Sequence, residues 1–259
     1  MSREPPVLIA VTRPGSPSLA PCELTHLARE PIDVARAAAQ HAAYEQMLGT
    51  VGATVVRVAA APGSPDAVFV EDTAIVLDEV AVLTRPGAPS RHGEVAAVAT
   101  VLAGYRPVLS LTAPATLDGG DVLRLGRVLH VGRSSRTNQE GIEQLQRLVL
   151  PFDYRVVAVE FNGCLHLKSA VTDVADGLLL HNPAWVSGAV FSGCEAMPID
   201  ERESHGANAL RIGDAVIYPS QFPHTAGRLR ERGMRVECTD GSELAKAEGA
   251  VTCCCLLVS

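Results

Sequence analysis

Two seven-residue segments of the chain, TRPGSPS at 12–18 and TRPGAPS at 84–90, differ at a single position. Each segment follows a short apolar run, VLIAV in the first case and VAVL in the second. A turn that recurs after a similar strand indicates an internal repeat, which constrains the fold more strongly than any local propensity. The chain is therefore expected to consist of repeated units.

Four segments share one order of elements: a strand, a turn with Gly or Asp, a second strand, a further turn and a helix. Their starts are separated by roughly 40–50 residues, a step typical of repeat architectures. The helix QEGIEQLQRLV is expected to be capped by Thr137 or Asn138. The four segments are 72–98, 120–145, 169–190 and 208–233.

The two ends of the chain supply a fifth unit in halves. VLIAVTRPG at 7–15 has the second strand and its turn, and AVTCCCLLV at 250–258 has the first strand. We therefore expect the terminal strands to pair and to close a ring of about five units in one domain, 1–259. Radial repetition leaves few exposed sheet edges, and it directs equivalent turns toward one axis.

Composition excludes several classes of function. The formal net charge is −7 and no basic cluster occurs, so nucleic acid and anionic membranes are unsuitable partners. No apolar run is long enough to span a bilayer, and the N-terminal segment does not resemble a signal peptide. Seven cysteines without a C-x-x-C pair or a secretory signal favour a reducing cytoplasm.

Carboxylates accompany apolar runs at two places. In PDAVFVEDTAIV, Asp66 precedes the run and Glu71 and Asp72 interrupt it. A regular strand would direct these last two side chains to opposite faces, so both reach one ligand only near a strand end or a bulge. In TLDGGDVL, Asp118 and Asp121 flank two glycines. This pattern fits a close approach of backbones, and it equally fits an ordinary hairpin turn.

A histidine and a cysteine run lie in further apolar stretches. His166, in CLHLKSAV, is expected within a strand, where a lone histidine is usually a satisfied core residue; beside a cysteine from another unit it becomes an acid–base. Strand alternation would put Cys253 and Cys255 on one face and Cys254 on the other. Cysteine also behaves as a small apolar side chain, so a purely structural role is open for at least two of the three.

Arg91 and Arg136 follow equivalent turns, each just before a helix. Surface exposure is the ordinary explanation for an arginine, but a pair at equivalent positions also suits the binding of a carboxylate. Carboxylates at one end of a site and arginines at the other describe a site for a basic amino acid. A Cys nucleophile with a His acid–base then suits attack on a guanidinium carbon.

At these residues the sequence resembles dimethylarginine dimethylaminohydrolase, a family of guanidino-modifying enzymes. The matching stretches occur in family order from residue 66 to 255, and 33–44 resembles the first helix of the family. They are PDAVFVEDTAIV, LTRPGAPSRHGEV, TLDGGDVL, VGRSSRTNQEG, LHLKSAV and the terminal TCC. The resemblance implies an α/β fold, a five-bladed propeller of ββαβ units. It also implies hydrolysis of asymmetric dimethyl- and monomethylarginine to citrulline and dimethylamine or methylamine.

The resemblance also implies a role for each site residue. The nucleophile, which forms a covalent thiouronium, is Cys253, with His166 as the acid–base and Asp118 as the acid that orients it. Glu71 and Asp72 face the guanidinium, while Asp66, Arg91 and Arg136 hold the amino-acid end. Leu27 is on a lid loop, and Ala247 is a contact just before the nucleophile. No metal and no organic cofactor is expected.

Two alternatives remain at this stage. Another guanidino hydrolase, such as an arginine deiminase, differs only in the space around the guanidinium nitrogens. A non-catalytic binding scaffold, similar to the ribosomal anti-association factor with this ring architecture, would make Cys253 and His166 incidental. The expected partner is a small-molecule substrate, methylated arginine, and a homodimer and a monomer are both open.

Overall fold

Fifteen strands form five sheets of three strands each in the computed structural model, which describes residues 7–259. The first six residues, part of the segment judged not to be a signal peptide, lie outside this description. In chain order the strands are β1 (Ile9–Thr12), β2 (Thr54–Arg57), β3 (Ala74–Val76), β4 (Ala81–Leu83), β5 (Val108–Ser110), β6 (Val122–Leu125), β7 (Val128–Gly132), β8 (Arg155–Val159), β9 (Val171–Ala175), β10 (Leu178–His181), β11 (Glu195–Pro198), β12 (Leu210–Ile212), β13 (Ala215–Pro219), β14 (Arg235–Thr239) and β15 (Leu256–Val258).

Each helix lies either between the second and third strands of a unit or between the last strand of one unit and the first strand of the next. The α-helices are α1 (Val34–Thr50), α2 (Val95–Leu102), α3 (Gln139–Val149), α4 (Leu167–Ala170), α5 (Pro223–Glu231) and α6 (Ser242–Ala245). The 3-10 helices are Val70–Thr73, Pro89–Glu94, Gly119–Asp121, Leu150–Phe152 and Gly188–Val190.

Every sheet follows one connection rule, which confirms the repeat found in the sequence. The middle strand pairs antiparallel with one neighbour and parallel with the other, as β7 does with β6 and β8. The parallel pairs are joined through helices such as α3, as a parallel crossover requires. The hairpin turns of three units contain a glycine with a positive φ, at Gly126, Gly177 and Gly213, where a side chain would be strained.

The terminal strands close the ring as expected. β1 pairs antiparallel with β15, with Ile9 opposite Val258 and Val11 opposite Leu256, and it pairs parallel with β2. The C-terminal strand is therefore the first strand of the unit that begins the chain. The fold is a five-bladed α/β propeller whose five sheets have the same internal order.

Helix caps agree with the sequence. Asn138, one of the two predicted caps, accepts a hydrogen bond from the backbone N–H of Gly141 at the start of α3. Asp33 caps α1 in the same way, through the N–H of Arg36. The helix predicted from 33–44 therefore begins where expected, and it continues to Thr50.

Local structure at the centre of the ring differs from the sequence-based expectations at four places. Glu71 and Asp72 lie in a 3-10 helix rather than a strand, and Gly119–Asp121 is a 3-10 helix rather than the hairpin turn that was one of two interpretations of this segment. His166 is the residue before α4. Residues 251–254 form a turn, so the strand predicted over the cysteines begins only at Leu256. Apolar runs this short do not distinguish strand from turn, because burial is common to both.

These corrected segments occupy equivalent positions. Each comes directly before the first strand of a sheet: Val70–Thr73 before β3, Gly119–Asp121 before β6, α4 before β9, and the 251–254 turn before β15. Neighbouring first strands contact one another, as β15 does with β3 and β9 with β12. The short segments therefore meet around a common axis, and apolar clusters pack between the surrounding sheets and helices. Within residues 7–259, no helix combines the length and apolarity needed to cross a bilayer.

Candidate active site

A small pocket at the axis brings together most of the side chains that the sequence singled out. Its volume is about 20 Å³, and it lies at one end of the segments that precede the first strands. Seven of the ten predicted site residues line it, while Glu71, Asp118 and Leu27 do not. The seven are Asp66, Asp72, Arg91, Arg136, His166, Ala247 and Cys253.

His166 lies between two carboxylates from different units. Its Nε2 is 3.0 Å from Oδ2 of Asp118, and its Nδ1 is 3.8 Å from Oδ1 of Asp72. Asp118 is fully buried, and its carboxylate also accepts a hydrogen bond from the N–H of Gly87 at 2.8 Å. It therefore contacts the imidazole without lining the pocket, as expected of a residue that orients a histidine.

The two carboxylates change the acid–base properties of His166. Burial by itself lowers the pKa of His166, but the charge of Asp72 and the hydrogen bond to Asp118 outweigh it and raise the pKa to about 9. Burial raises the pKa of Asp72, yet His166 and Arg91 together lower it to about 2. At neutral pH the pocket therefore holds an imidazolium and an ionised carboxylate side by side.

Paired glycines allow this close approach, as one sequence interpretation predicted. A Cβ atom added to Gly120 would lie 2.6 Å from Nδ1 of His166 and 2.8 Å from Oδ1 of Asp72. A Cβ atom on Gly119 would lie 2.0 Å from the carbonyl oxygen of Glu71. The N–H of Gly120 donates to Asp72 at 3.0 Å. The glycines therefore let two units pack backbone against side chain.

Of the three consecutive cysteines, only Cys253 lines the small pocket. Cys254 lines a larger cavity of about 370 Å³, and Cys255 accepts a hydrogen bond from the hydroxyl of Tyr44 at 3.1 Å. Burial, together with Glu71 and Asp72, raises the pKa of the Cys253 thiol well above its usual value. Cys253 is therefore a neutral thiol at neutral pH.

Protein groups accept most of the hydrogen bonds that the Arg91 guanidinium can donate. Its guanidinium donates to Asp72 at 2.6 Å and to Glu94 at 2.9 and 3.1 Å, and one nitrogen also donates to the carbonyl oxygen of Phe69 at 2.9 Å. Arg136, the equivalent residue of the next unit, makes fewer such contacts, and its side chain donates to the hydroxyl of Thr25 at 3.2 Å. Of the two arginines, Arg136 therefore has more hydrogen-bonding capacity left for a ligand.

The loop around Leu27 is fastened over the pocket. The N–H of Glu23 donates to both oxygens of Asp66, at 3.3 and 3.2 Å. The Glu248 carboxylate, which lies between Ala247 and Gly249, accepts from the N–H groups of Thr25, His26 and Leu27 at 2.8, 2.6 and 2.8 Å. Leu27 itself lines the 370 Å³ cavity. Leu165, Glu248 and Gly249 line both this cavity and the small pocket, so the loop lies where the two meet.

Glu71 points away from the small pocket. Its carboxylate accepts from Nζ of Lys168 at 2.6 Å and from the hydroxyl of Thr252 at 2.8 Å. Adjacent residues Glu71 and Asp72 thus face opposite sides of their segment, which is what strand alternation would also have given.

Sequence reasoning missed several pocket residues. Glu23, Phe69, Leu165, Glu248 and Gly249 also line the pocket, and none has a sequence pattern that marks it. Asp121 was noticed in TLDGGDVL without a role. Its carboxylate accepts from the N–H of Leu167 and from the hydroxyls of Ser134 and Thr137, so it joins the His166 segment to the Arg136 turn.

One ligand atom each from Asp72, Asp118 and His166 lie within 4.8 Å of one another, a spacing that could hold a cation. The three groups are also consistent with a proton-transfer site, because each carboxylate already has a backbone donor and faces an imidazolium. The expectation that no metal is needed stays a prediction.

The sequence and the fold are similar to those of known proteins over most of the chain. No family model matches the chain. It is 39% identical over 247 residues to an N(G),N(G)-dimethylarginine dimethylaminohydrolase of Streptomyces coelicolor, covering 94% of each chain. The solved enzyme of Pseudomonas aeruginosa, a cysteine-to-serine variant in complex with citrulline, superposes with a TM-score of 0.92 at 31% identity, covering 97% of this chain and 99% of that one.

A second solved dimethylarginine dimethylaminohydrolase, a histidine-to-glycine variant with an S-methyl-L-thiocitrulline adduct, has a TM-score of 0.90 at 32% identity. It covers 96% of this chain, and this chain covers 98% of it. Both likenesses extend over nearly the whole chain, so the five-unit ring is common to them.

We predict that Gly120→Ala lowers kcat for hydrolysis of a guanidino substrate by about 10²-fold or more, because the new methyl group displaces His166. Gly63→Ala is the matched control, since its Cβ would have no atom within 4 Å. Steady-state kinetics and thermal unfolding of both variants check this. Gly120→Ala with a kcat equal to that of Gly63→Ala would contradict the described position of the imidazole.

Proposed function

The chain belongs to the dimethylarginine dimethylaminohydrolase family, and from that premise we propose that Cys253, His166 and Asp118 carry out its reaction. The enzyme is a hydrolase that acts on carbon–nitrogen bonds of linear amidines, and it converts N-omega-methylated arginine to citrulline and a methylamine. The observation that supports the residue assignment is the buried His166, held between two carboxylates in the pocket that Cys253 also lines.

The first half of the reaction begins when the guanidinium enters beside Asp72. The added cation favours loss of the Cys253 proton, which leaves to solvent, and the thiolate adds to the guanidinium carbon. The His166 imidazolium then donates its proton to the departing dimethylamine. One C–S bond has formed and one C–N bond has broken, so a thiouronium is attached to Cys253 and His166 is neutral.

The second half uses His166 in the opposite direction. The neutral imidazole accepts a proton from water, and the resulting hydroxide adds to the thiouronium carbon. The C–S bond breaks, Cys253 leaves as a thiolate, the hydroxyl proton of the O-protonated product passes to solvent, and citrulline is released. Asp118 holds the ring through Nε2 in both halves and stabilises the imidazolium when it is present.

Different residues bind the two ends of the substrate. In this proposal Asp72 faces the guanidinium, and Asp66 and Arg136 hold the α-amino and α-carboxylate groups. Support comes from burial, since these three side chains are at most 8% exposed yet line the pocket. Arg91 fixes Asp72 through Nη1 at 2.6 Å and, with Arg136, supplies positive charge for the α-carboxylate.

Leu27 and Ala247 define how the site is covered. Leu27 belongs to the loop that Glu248 fastens, and we assign the loop as the lid over the bound amino acid. Ala247 is a small wall residue of the pocket. Glu71 is retained in the site, with its carboxylate acting from behind the nucleophile turn rather than on the guanidinium.

A cytoplasmic location belongs to the same proposal. All seven cysteines are free thiols, which fits a reducing compartment. The homodimer stays a prediction, which light scattering of the purified chain would check.

Substrate preference is tested by the rate of citrulline formation from asymmetric dimethylarginine and, in parallel, from arginine. We predict turnover of the methylated substrate by the wild-type enzyme. We predict loss of both activities in Cys253→Ser, because a serine hydroxyl is a far weaker nucleophile than a cysteine thiolate. Turnover mainly of arginine would identify a deiminase with the same Cys–His chemistry. Citrulline formation by Cys253→Ser would contradict the assigned nucleophile.

The proton inventory predicts a specific pH profile. The reacting pair needs a thiolate and an imidazolium, which is one proton fewer than the free enzyme holds below the His166 pKa of about 9. We therefore predict that kcat/KM rises with pH and levels off near pH 9. In Asp118→Asn the lost carboxylate lowers the His166 pKa, so the plateau begins at a lower pH and its height falls by about 10²-fold or more. A wild-type profile that levels near the ordinary histidine pKa of about 6.5 would contradict this.

A further inference from the structure

Four polar side chains form a connected group on the far side of the nucleophile turn from the pocket. Nζ of Lys168 donates to Oε1 of Glu71 at 2.6 Å, and the hydroxyl of Thr252 donates to Oε2 at 2.8 Å. The side-chain amide of Asn208 donates to Thr252 Oγ1 at 2.9 Å and to the carbonyl oxygen of Lys168 at 3.0 Å. These contacts close a ring, which we call the rear polar ring: Lys168, Glu71, Thr252 and Asn208.

The rear polar ring is fixed to the backbone on both sides of Cys253. The N–H of Thr252 donates to Oδ1 of Asn208 at 3.1 Å. The carbonyl oxygen of Cys253 accepts from the N–H of Glu71 at 3.1 Å. The nucleophile therefore belongs to a peptide segment that is held before and after its Cα, by residues from two other units.

The four residues come from equivalent places in four units. Lys168 is in α4, before β9, and Asn208 lies just before β12. Glu71 precedes β3 and Thr252 precedes β15. The ring architecture therefore joins them around the axis, as it joins His166, Asp118 and Asp72 on the pocket side. Neither Lys168 nor Asn208 lines the small pocket.

Burial makes the pairing of Lys168 with Glu71 significant. The side chains of Glu71 and Lys168 are 8% and 17% exposed. Burial raises the pKa of Glu71, and the Lys168 ammonium opposes this shift. An ionised Glu71 is an acceptor only, so it can hold the Thr252 hydroxyl as a donor; a protonated Glu71 would also be a donor.

We propose that Lys168 and Asn208 are positioning residues for catalysis, which act through Glu71 and Thr252 to hold Cys253 in line with the guanidinium carbon. The proposal rests on the assignment of Cys253 as nucleophile. It also gives Glu71 a role in holding the nucleophile turn, in place of direct contact with the guanidinium. A misplacement of about 1 Å at the reacting atom can cost about 10²-fold in rate.

The test compares Lys168→Met with Lys246→Met. Lys246 is the matched control, because its Nζ also lies 2.7 Å from a buried carboxylate, that of Glu243, and neither residue of that pair lines the small pocket. We expect Lys168→Met to lower kcat on asymmetric dimethylarginine by about 10–100-fold with KM changed less than about threefold. Lys168→Arg, which keeps the charge, should recover most of the rate. Lys246→Met should keep the wild-type kcat.

A second readout does not depend on turnover. The rate of alkylation of Cys253 by iodoacetamide, followed on its peptide by mass spectrometry across pH, should require a higher pH in Lys168→Met, since a nearby cation that favours the thiolate is lost. A shift of this pH profile distinguishes a role in positioning and ionising the Cys253 thiol from a loss of protein stability alone. It also remains measurable if the chain turns over neither substrate, so failure of the proposed function and failure of this inference are separable.

Lys168→Met leaves Glu71 without its cation and could destabilise the chain, so Lys168→Met combined with Glu71→Gln provides a neutral pair of similar shape. The double variant should fold as well as Lys246→Met and still show the loss of kcat, because a neutral amide accepts from the Thr252 hydroxyl more weakly than a carboxylate does. Wild-type kcat in a folded Lys168→Met or in the double variant, or an unchanged alkylation profile, would overturn the proposal.

Discussion

Charges buried at the centre of the five-sheet ring are stable there only because an opposite charge or several donors face each of them. An ionised carboxylate left alone in such a place would cost several kcal/mol or would take up a proton. Asp72 is matched by Arg91 and His166, and Glu71 by Lys168. This pairing sets the protonation states on which the proposed chemistry depends, and it explains why each unit contributes at least one polar residue at the axis.

The pairing is organised in two layers that the short segments before the first strands separate. In the proposed mechanism the pocket-side groups Asp118, His166 and Asp72 supply a proton donor. In the proposed positioning the rear-side groups Lys168, Glu71 and Asn208 hold the turn that carries Cys253. Glu71 and Asp72 are adjacent in the sequence and belong one to each layer. A single 3-10 turn therefore connects the acid–base system to the support of the nucleophile, so a disturbance of either layer should be felt in the other.

Most of the five-unit architecture could be predicted from the sequence, because the repeated units have similar sequence patterns. Five units and their closure were predicted from the recurrent Arg-Pro-Gly turn, the glycines of the hairpins and the two half-units at the chain ends. Arg91 and Arg136 were identified because they occupy equivalent positions in two units. Local structure at the axis was predicted wrongly, since apolar runs around His166 and Cys253 look like strands. Contacts between distant parts of the chain leave no local sequence pattern. Glu248 is 221 to 223 positions from the loop residues that it binds, and Asn208 is 44 positions from Thr252.

The proposed mechanism requires that the amidine carbon becomes attached to Cys253. The most direct measurement is rapid acid quenching of enzyme mixed with asymmetric dimethylarginine, followed by mass spectrometry of the C-terminal peptide. We predict a substrate-derived adduct on Cys253 that forms and decays during turnover and is absent in Cys253→Ser. Turnover with the adduct on Cys254 or Cys255, or an adduct that persists in Cys253→Ser, would contradict it.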